Sequence, residues 1–307
     1  MERRYKMSVE SAVRGPDNFI KAAEKGSSRR LWLYEKTAQI VFFCAAAAAV
    51  IALSLISVFL FANGLPAIAK IGAGGFIFGR DWSPVDEPPV FGILPMIASS
   101  MIVTLGAALI GAPIGTLSAV FLSHICPKAW YRTLKSGVEL MAAVPSVVYG
   151  FFGMAAITPL TGYSLLSASI LLGIMILPTI TAISESTLRA VPAAYYESAR
   201  ALGAGRYRAI FFAALPAAKS GVLASFVLGI GRAVGETMAV IMVAGNQARL
   251  PTSIFKGGRT LTANIVIEMG YAAELHREAL IATGAVLFIF ILIINSLFWT
   301  ITRRMKP

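Results

Sequence analysis

Charge is scarce in this chain. Of its 307 residues 14% are charged and 57% hydrophobic, whereas soluble proteins carry about 25% charged residues. So little charge cannot cover the apolar surface, and the chain is read as integral to a membrane. Cysteine is nearly absent: Cys44 lies inside the first apolar run and Cys126 beside Pro127 at the end of another. That excludes a disulfide framework and any cysteine cluster with metal-ligand spacing. His124 and His276 are 152 positions apart by number, one near a span end and one in a charged loop, so no zinc site or catalytic dyad is expected. No serine, cysteine or histidine arrangement suggests covalent catalysis. A Gly-rich loop ending in Gly-Lys-Ser or Gly-Lys-Thr, which would cradle nucleotide phosphates, is missing as well. No enzyme activity, cofactor or metal is therefore expected of this chain.

What is abundant is long apolar sequence. Runs at about 39–61, 94–122, 138–157, 165–183, 222–244 and 279–299 predict six membrane spans. The expected fold is all-α, a polytopic transmembrane helical bundle. A polar arm, 1–37, precedes the membrane domain at 38–300, and a basic tail follows at 301–307. The first run starts near Gln39, too late after a charged arm for an ordinary cleaved signal, and is long enough to stay as a span. The arm is expected to break at Gly15-Pro16, and span one to end at Asn63, Gly64 and Pro66. The glycines and prolines from Gly72 to Pro89 then predict an irregular loop. Gly106, Gly111, Pro113 and Gly115 predict either a bend or a close helix contact in span two. Trp32, Trp82, Trp130 and Trp299, near boundaries or loops, read as interface anchors.

Six spans put both termini on one side. Twenty of the 27 lysines and arginines fall on that side, in the arm, in 123–137, in 184–220 and in the tail, against six on the other. This asymmetry predicts cytoplasmic termini and a multi-pass inner-membrane protein. It also accounts for the net charge of +12 without nucleic acid.

One basic residue belongs to neither side. Arg232 lies in span five within Gly231-Arg232-Ala233-Val234-Gly235-Glu236-Thr237, roughly 15 Å from the span's start if 222–244 is one helix. Glu236, four residues on, would then share its face and pair with it. Ionisable groups at this depth turn toward a bundle interior or a water-filled path. Two readings stand: a structural bridge among small residues that favour close helix packing, or an anion path in which Arg232 offers a fork of donors and Glu236 orients it.

The polar connection 184–220 carries the second motif. Pro192 opens a short helix, Tyr195, Ala199 and Leu202 make an apolar stripe along it, and Gly203 with Gly205 stops it. Glu197-Ser198-Ala199, then Gly203, then Ala213-Ala214-Leu215-Pro216 resembles the "EAA" cytoplasmic loop of ABC importer permeases, with Ser198 and Ala213 departing from the usual alanine and isoleucine. The resemblance implies that Glu197, Ser198, Ala199 and Gly203 belong to a coupling helix that docks into a separate ATPase dimer. Ala201-Leu202-Gly203-Ala204, Leu215-Pro216-Ala217-Ala218 and Gly229 to Val240 with Gly245-Asn246 are similar to phosphate importer permeases of the PstC type. That resemblance, strongest over about 90–300, implies Arg232 and Glu236 in phosphate passage. It also implies a homologous second permease and an extracytoplasmic phosphate-binding protein meeting 63–90 and 245–278.

Three further residues are candidates for a gate or hinge. Glu139 either pairs with Lys135 at helical spacing or lines an inner gate. Pro145 and Pro178 are either tolerated kinks or hinges. Rival readings are a permease for sulfate, molybdate or tungstate, a non-transporting scaffold, and an ion-coupled secondary carrier. The last predicts inverted repeats and half-helix sites, and neither is evident in the sequence.

Overall fold

The computed structural model describes the backbone of residues 2–304, and side chains from 32 onward except those of 33, 298, 299 and 301–304. The basic side chains of the arm other than Lys36, the Trp299 side chain and those of the tail therefore lie outside the described residues. The chain divides into two compact units, 1–59 and 60–307. Helix α1, Glu2–Ile71, contributes to both and runs through Gly15-Pro16, where a break was expected. In the first unit the Lys36 ammonium sits over the Trp32 ring at 4.4 Å.

In the second unit α1 also runs through Gly64 and Pro66, which were expected to stop it. The reason is tertiary: Gly64 and Ala67 are buried, and a Cβ at Gly64 would lie 3.0 Å from Ala282 Cα. The segment expected to be irregular holds a short helix α2 (Ala73–Phe78) and a two-residue antiparallel pair, β1 (Trp82–Ser83) with β2 (Val90–Phe91), in register Trp82 to Phe91. Its aromatics Phe76, Trp82 and Phe91 are buried with Ile93, Met96, Leu261, Leu280 and Ala282 in one core.

Next come α3 (Leu94–Val120), α4 (Lys128–Ala143), α5 (Ser146–Phe152), a single turn α6 (Thr158–Thr161) and α7 (Leu165–Ala190). Ser164 caps α7, its hydroxyl accepting from the Ser167 amide at 3.2 Å. Then follow α8 (Ala193–Ala201), the short α9 (Arg206–Ala209) and α10 (Leu215–Ala217), α11 (Lys219–Gly235), α12 (Met238–Val243), α13 (Leu261–Glu268) and α14 (Glu274–Arg304). Among the described residues four helices are long and apolar enough to cross a membrane. Two bent pairs, 128–143 with 146–161 at 97° and 206–217 with 219–235 at 72°, raise the number to six.

The central core lies between α3 and α7, with α5, α11 and α12 around them: Val103, Ala107, Leu171, Leu172, Met175, Ile176, Ile180, Ala239 and Val243 are all buried in it. A third core, Ala119, Val120, Leu188, Ile210, Ala218 and Val222, closes the end that carries α8. Of the two outcomes expected for span two, close contact is the one found, because α3 passes through Pro113 unbroken. Gly111 admits Ile176: a Cβ there would stand 2.5 Å from Ile176 Cγ1 and 3.0 Å from the Gly173 carbonyl oxygen. Gly111→Val is therefore expected to overpack this seam at a cost of about 1–3 kcal/mol, read as a lower melting midpoint of the purified complex.

Candidate functional site

Span five is not one helix. α11 starts at Lys219 and stops at Gly235; Glu236 is extended (φ −72°, ψ 131°), Thr237 caps the next helix, and α12 resumes at Met238. Arg232 thus occupies the last turn of α11 rather than the middle of a span, where a cation meets the negative end of the helix dipole. The break also removes the i,i+4 geometry on which an Arg232–Glu236 pair depended. No ion pair joins them among the described residues. Arg232 Nη1 donates instead to Thr179 Oγ1 of α7 at 3.4 Å, and a Glu236 carboxylate oxygen accepts from the Thr237 amide at 3.2 Å. Both side chains are half-buried. The break is pinned from a distance, since Thr262 Oγ1 at the start of α13 donates to the Glu236 carbonyl at 3.1 Å.

The second break faces the first. Pro145 was expected to kink or hinge span three, and α4 ends there altogether: Val144 is extended, as residues before proline prefer, and the chain turns by 97° into α5. α5 and α12, the half-helices beyond the two breaks, pack so closely that a Cβ on Gly150 would fall 2.3 Å from Met242 Sδ. Tyr149 is buried at this junction, and its hydroxyl donates back across the break to the Met141 carbonyl at 2.8 Å. A neutral hydrogen bond contributes about 1 kcal/mol, so Tyr149→Phe is expected to speed amide exchange through 144–148 roughly five-fold by hydrogen-exchange mass spectrometry. Pro178 behaves differently. It is buried within α7, which continues to Ala190 without a break.

The coupling motif forms as its punctuation predicts. Pro192 precedes α8, Leu202 ends it, and Gly203 takes the left-handed conformation (φ +86°) that a residue with a side chain resists. Arg200 Nη1 donates to the Ala204 carbonyl at 2.9 Å and closes the turn. No residue of α8 is fully buried: Glu197 and Ser198 are exposed, Ala199 is half-buried, and Leu202 is 89% exposed.

Two buried carboxylates escaped the sequence reading. Glu185 on α7, 2% exposed, accepts from Tyr131 Oη at 2.8 Å, from Lys135 Nζ at 3.3 Å and from Arg189 Nε. Lys135 therefore pairs with Glu185 and not with Glu139, which is exposed on α4 without an ion pair among the described residues. The signal was available, a carboxylate just past the apolar run 165–183 with arginine four residues on. Glu268, 4% exposed at the other end, accepts from Arg259 Nη1 at 2.5 Å, Trp82 Nε1 at 2.8 Å and His276 Nε2 at 2.8 Å. His276 and Trp82, read as a solitary histidine and an interface anchor, both belong to this cluster. No local pattern links residues as far apart as 82 and 268. Among the described residues no three His, Cys, Asp or Glu side chains converge to hold a metal ion.

Comparison with known proteins adds the family. The pattern of the binding-protein-dependent transport system inner membrane component matches residues 111–307. The "Probable ABC transporter permease protein YqgH" of Bacillus subtilis (strain 168) is 39% identical over 258 residues, 79% of this chain and 84% of that protein. The "Phosphate transport system permease protein PstC" of Mesorhizobium japonicum is 30% identical over 315 residues, 94% of this chain and 95% of that one. Among solved structures, a bacterial ABC transporter for import of the acidic polysaccharide alginate aligns with 91% of this chain and 100% of its own at TM-score 0.57 and 16% identity, a likeness of fold alone. The chain belongs to the binding-protein-dependent transport system inner membrane components, as a multi-pass membrane permease half of an ABC importer whose ATPase is a separate subunit.

Proposed function

We propose that this permease imports phosphate, and that Arg232 and Glu236 line its path at the break between α11 and α12. The observation that carries the reading is the state of Arg232. It is a half-buried guanidinium in an apolar span with one long hydrogen bond to Thr179 and no carboxylate in ion-pair range among the described residues. A guanidinium cannot shed its proton to escape such a place, and its planar fork matches a tetrahedral oxyanion. The structural-bridge alternative needed Glu236 as the partner, and that geometry is absent. The names of the PstC relatives point to the same substrate.

In this reading the excess of basic residues puts both termini and α8 in the cytoplasm. Glu197, Ser198, Ala199 and Gly203 present the coupling helix to an ATP-binding dimer. A second, homologous permease completes the path, and a phosphate-binding protein meets the face formed by β1, β2 and 245–278. Pro145 serves as the hinge of an inner gate, with Glu139 on its exposed approach, while Pro178 sits beside Thr179 in the fixed wall.

The test is ATP-dependent uptake of radiolabelled phosphate by proteoliposomes holding the complete importer and its binding protein, with arsenate, sulfate and molybdate as competitors. Phosphate uptake blocked by arsenate alone is expected. Uptake of sulfate or molybdate in its place would keep the architecture and replace the substrate.

A further inference from the structure

The helix α4 is held in an unusual way. None of its residues is fully buried, although it carries the chain to the Pro145 break. Its described polar attachments to the rest of the bundle are few. In its first half Tyr131 and Lys135, one turn apart, both donate to Glu185, and the Arg189 guanidinium lies over the Tyr131 ring at 4.1 Å. Near its end the Met141 carbonyl receives the Tyr149 hydroxyl from across the break. A helix fastened so is positioned by its fastenings more than by a core.

Glu185 also stands close to α8. α7 ends at Ala190, and only Val191 and Pro192 separate it from α8, so a displacement of α8 acts on the last turns of α7. Arg189 Nη2 donates to the Leu122 carbonyl at 3.0 Å, and Arg206, just beyond α8, donates to the His124 carbonyl at 2.7 Å. Both flanks of α8 are therefore tied to the turn that follows α3. Only the carboxylate side of these pairs is buried, Glu185 being 2% exposed against 40% for Lys135 and 44% for Arg189; stripping the partners would leave a desolvated carboxylate at high cost, which keeps Tyr131, Lys135 and Arg189 on Glu185 when α7 shifts.

We propose that Glu185 is a positioning residue for coupling, the joint through which motion of α8 reaches α4 and, through the Pro145 break, the α5–α12 pair beside Arg232. This rests on the reading of α8 as the ATPase-facing helix and is independent of the substrate. Glu185 touches neither substrate nor nucleotide. It acts by keeping α4 in step with α8.

The test uses the assembled importer in nanodiscs, with Cys44 and Cys126 changed to serine. Spin-label pairs report two distances, Ala194→Cys on α8 to Met101→Cys on α3 and Thr133→Cys on α4 to Met101→Cys, with and without ATP plus orthovanadate. All three positions are exposed. In the otherwise unmodified complex both distances are expected to shift on nucleotide trapping. In Glu185→Gln the Ala194 shift should persist and the Thr133 shift should be lost; a general structural defect would not separate the two. An unchanged Thr133 shift would overturn the joint. Should Glu185→Gln fail to assemble, Tyr131→Phe, which removes one donor and keeps the ring under Arg189, decides by the same criterion. A static Ala194 in the unmodified complex would instead refute the reading of α8 and take the proposal with it.

Discussion

Arg232→Ala is expected to reduce ATP-driven phosphate uptake by the reconstituted importer at least about 100-fold, while the complex still assembles. Hydrogen bonds to charged groups contribute about 1.5–3 kcal/mol each, and two of them from one guanidinium to a phosphate correspond to roughly two orders of magnitude or more. The expected cost to the resting fold is small, because Arg232 makes a single 3.4 Å bond to Thr179 and no salt bridge among the described residues. That asymmetry separates the path reading from a structural one: a residue that holds helices together would lower the yield of complex before it lowered flux. Arg232→Lys keeps the charge but loses the planar fork, so an intermediate loss is expected, with the deficit in apparent KM as well as rate. Glu236→Gln should leave stability unchanged, since Glu236 makes no ion pair among the described residues. Undiminished uptake in Arg232→Ala, measured on complexes of verified composition, would show the guanidinium to be dispensable and remove the central support for the phosphate reading.

The second large effect is on stability. Glu268→Ala should destabilise the end that carries β1 and β2 by about 3–5 kcal/mol, the cost of removing one partner of a buried ion pair. Arg259, left 16% exposed, would keep its charge among apolar neighbours, and the donors on Trp82 and His276 would lose their acceptor. The loss reaches several elements together, because Arg259 also donates to the Asn246 carbonyl at 3.1 Å and to Asn264 Oδ1 at 3.0 Å. In a thermal scan the midpoint is expected to fall by on the order of 10 °C, and limited proteolysis should open 245–268. The exposed pair Lys70–Glu278, only 2.7 Å long but 57% and 38% accessible, is the control. Lys70→Ala should change stability by less than about 1 kcal/mol. Equal effects from the two substitutions would mean that Glu268 does not organise this face.

Several elements were legible before any coordinates because their causes are local. Hydropathy over a span's length is a property of each run by itself, so the membrane class and a count of up to six spans follow directly. Pro192 and Gly203 delimit α8 because one pre-sets a helical start and the other accepts a positive φ, and neither needs a neighbour to do so. The separate ATPase was implied by the resemblance of Glu197-Ser198-Ala199 and Gly203 to the permease loop, with which the absence of a nucleotide-phosphate loop agrees.

Local signals failed where a distant partner outweighed them. Gly64 and Pro66 read as a stop, yet burial against α14 carries α1 on to Ile71. Gly235-Glu236-Thr237 read as helix interior, and Arg232 with Glu236 as an i,i+4 pair. What ends the helix there includes a hydroxyl 26 residues away, Thr262 on the Glu236 carbonyl, and the packing of α12 against α5. Glu139 seemed the natural partner of Lys135 by spacing, but Glu185, on another helix, offers a buried carboxylate that a surface residue cannot match. The sequence by itself determined that this is a helical membrane protein with a short helix bounded by Pro192 and Gly203, because apolar length and turn chemistry are written residue by residue. Only the tertiary structure decided where the spans break, which carboxylates are buried and that Arg232 has Thr179 and no carboxylate beside it among the described residues, because those are settled by side chains brought together from remote parts of the chain.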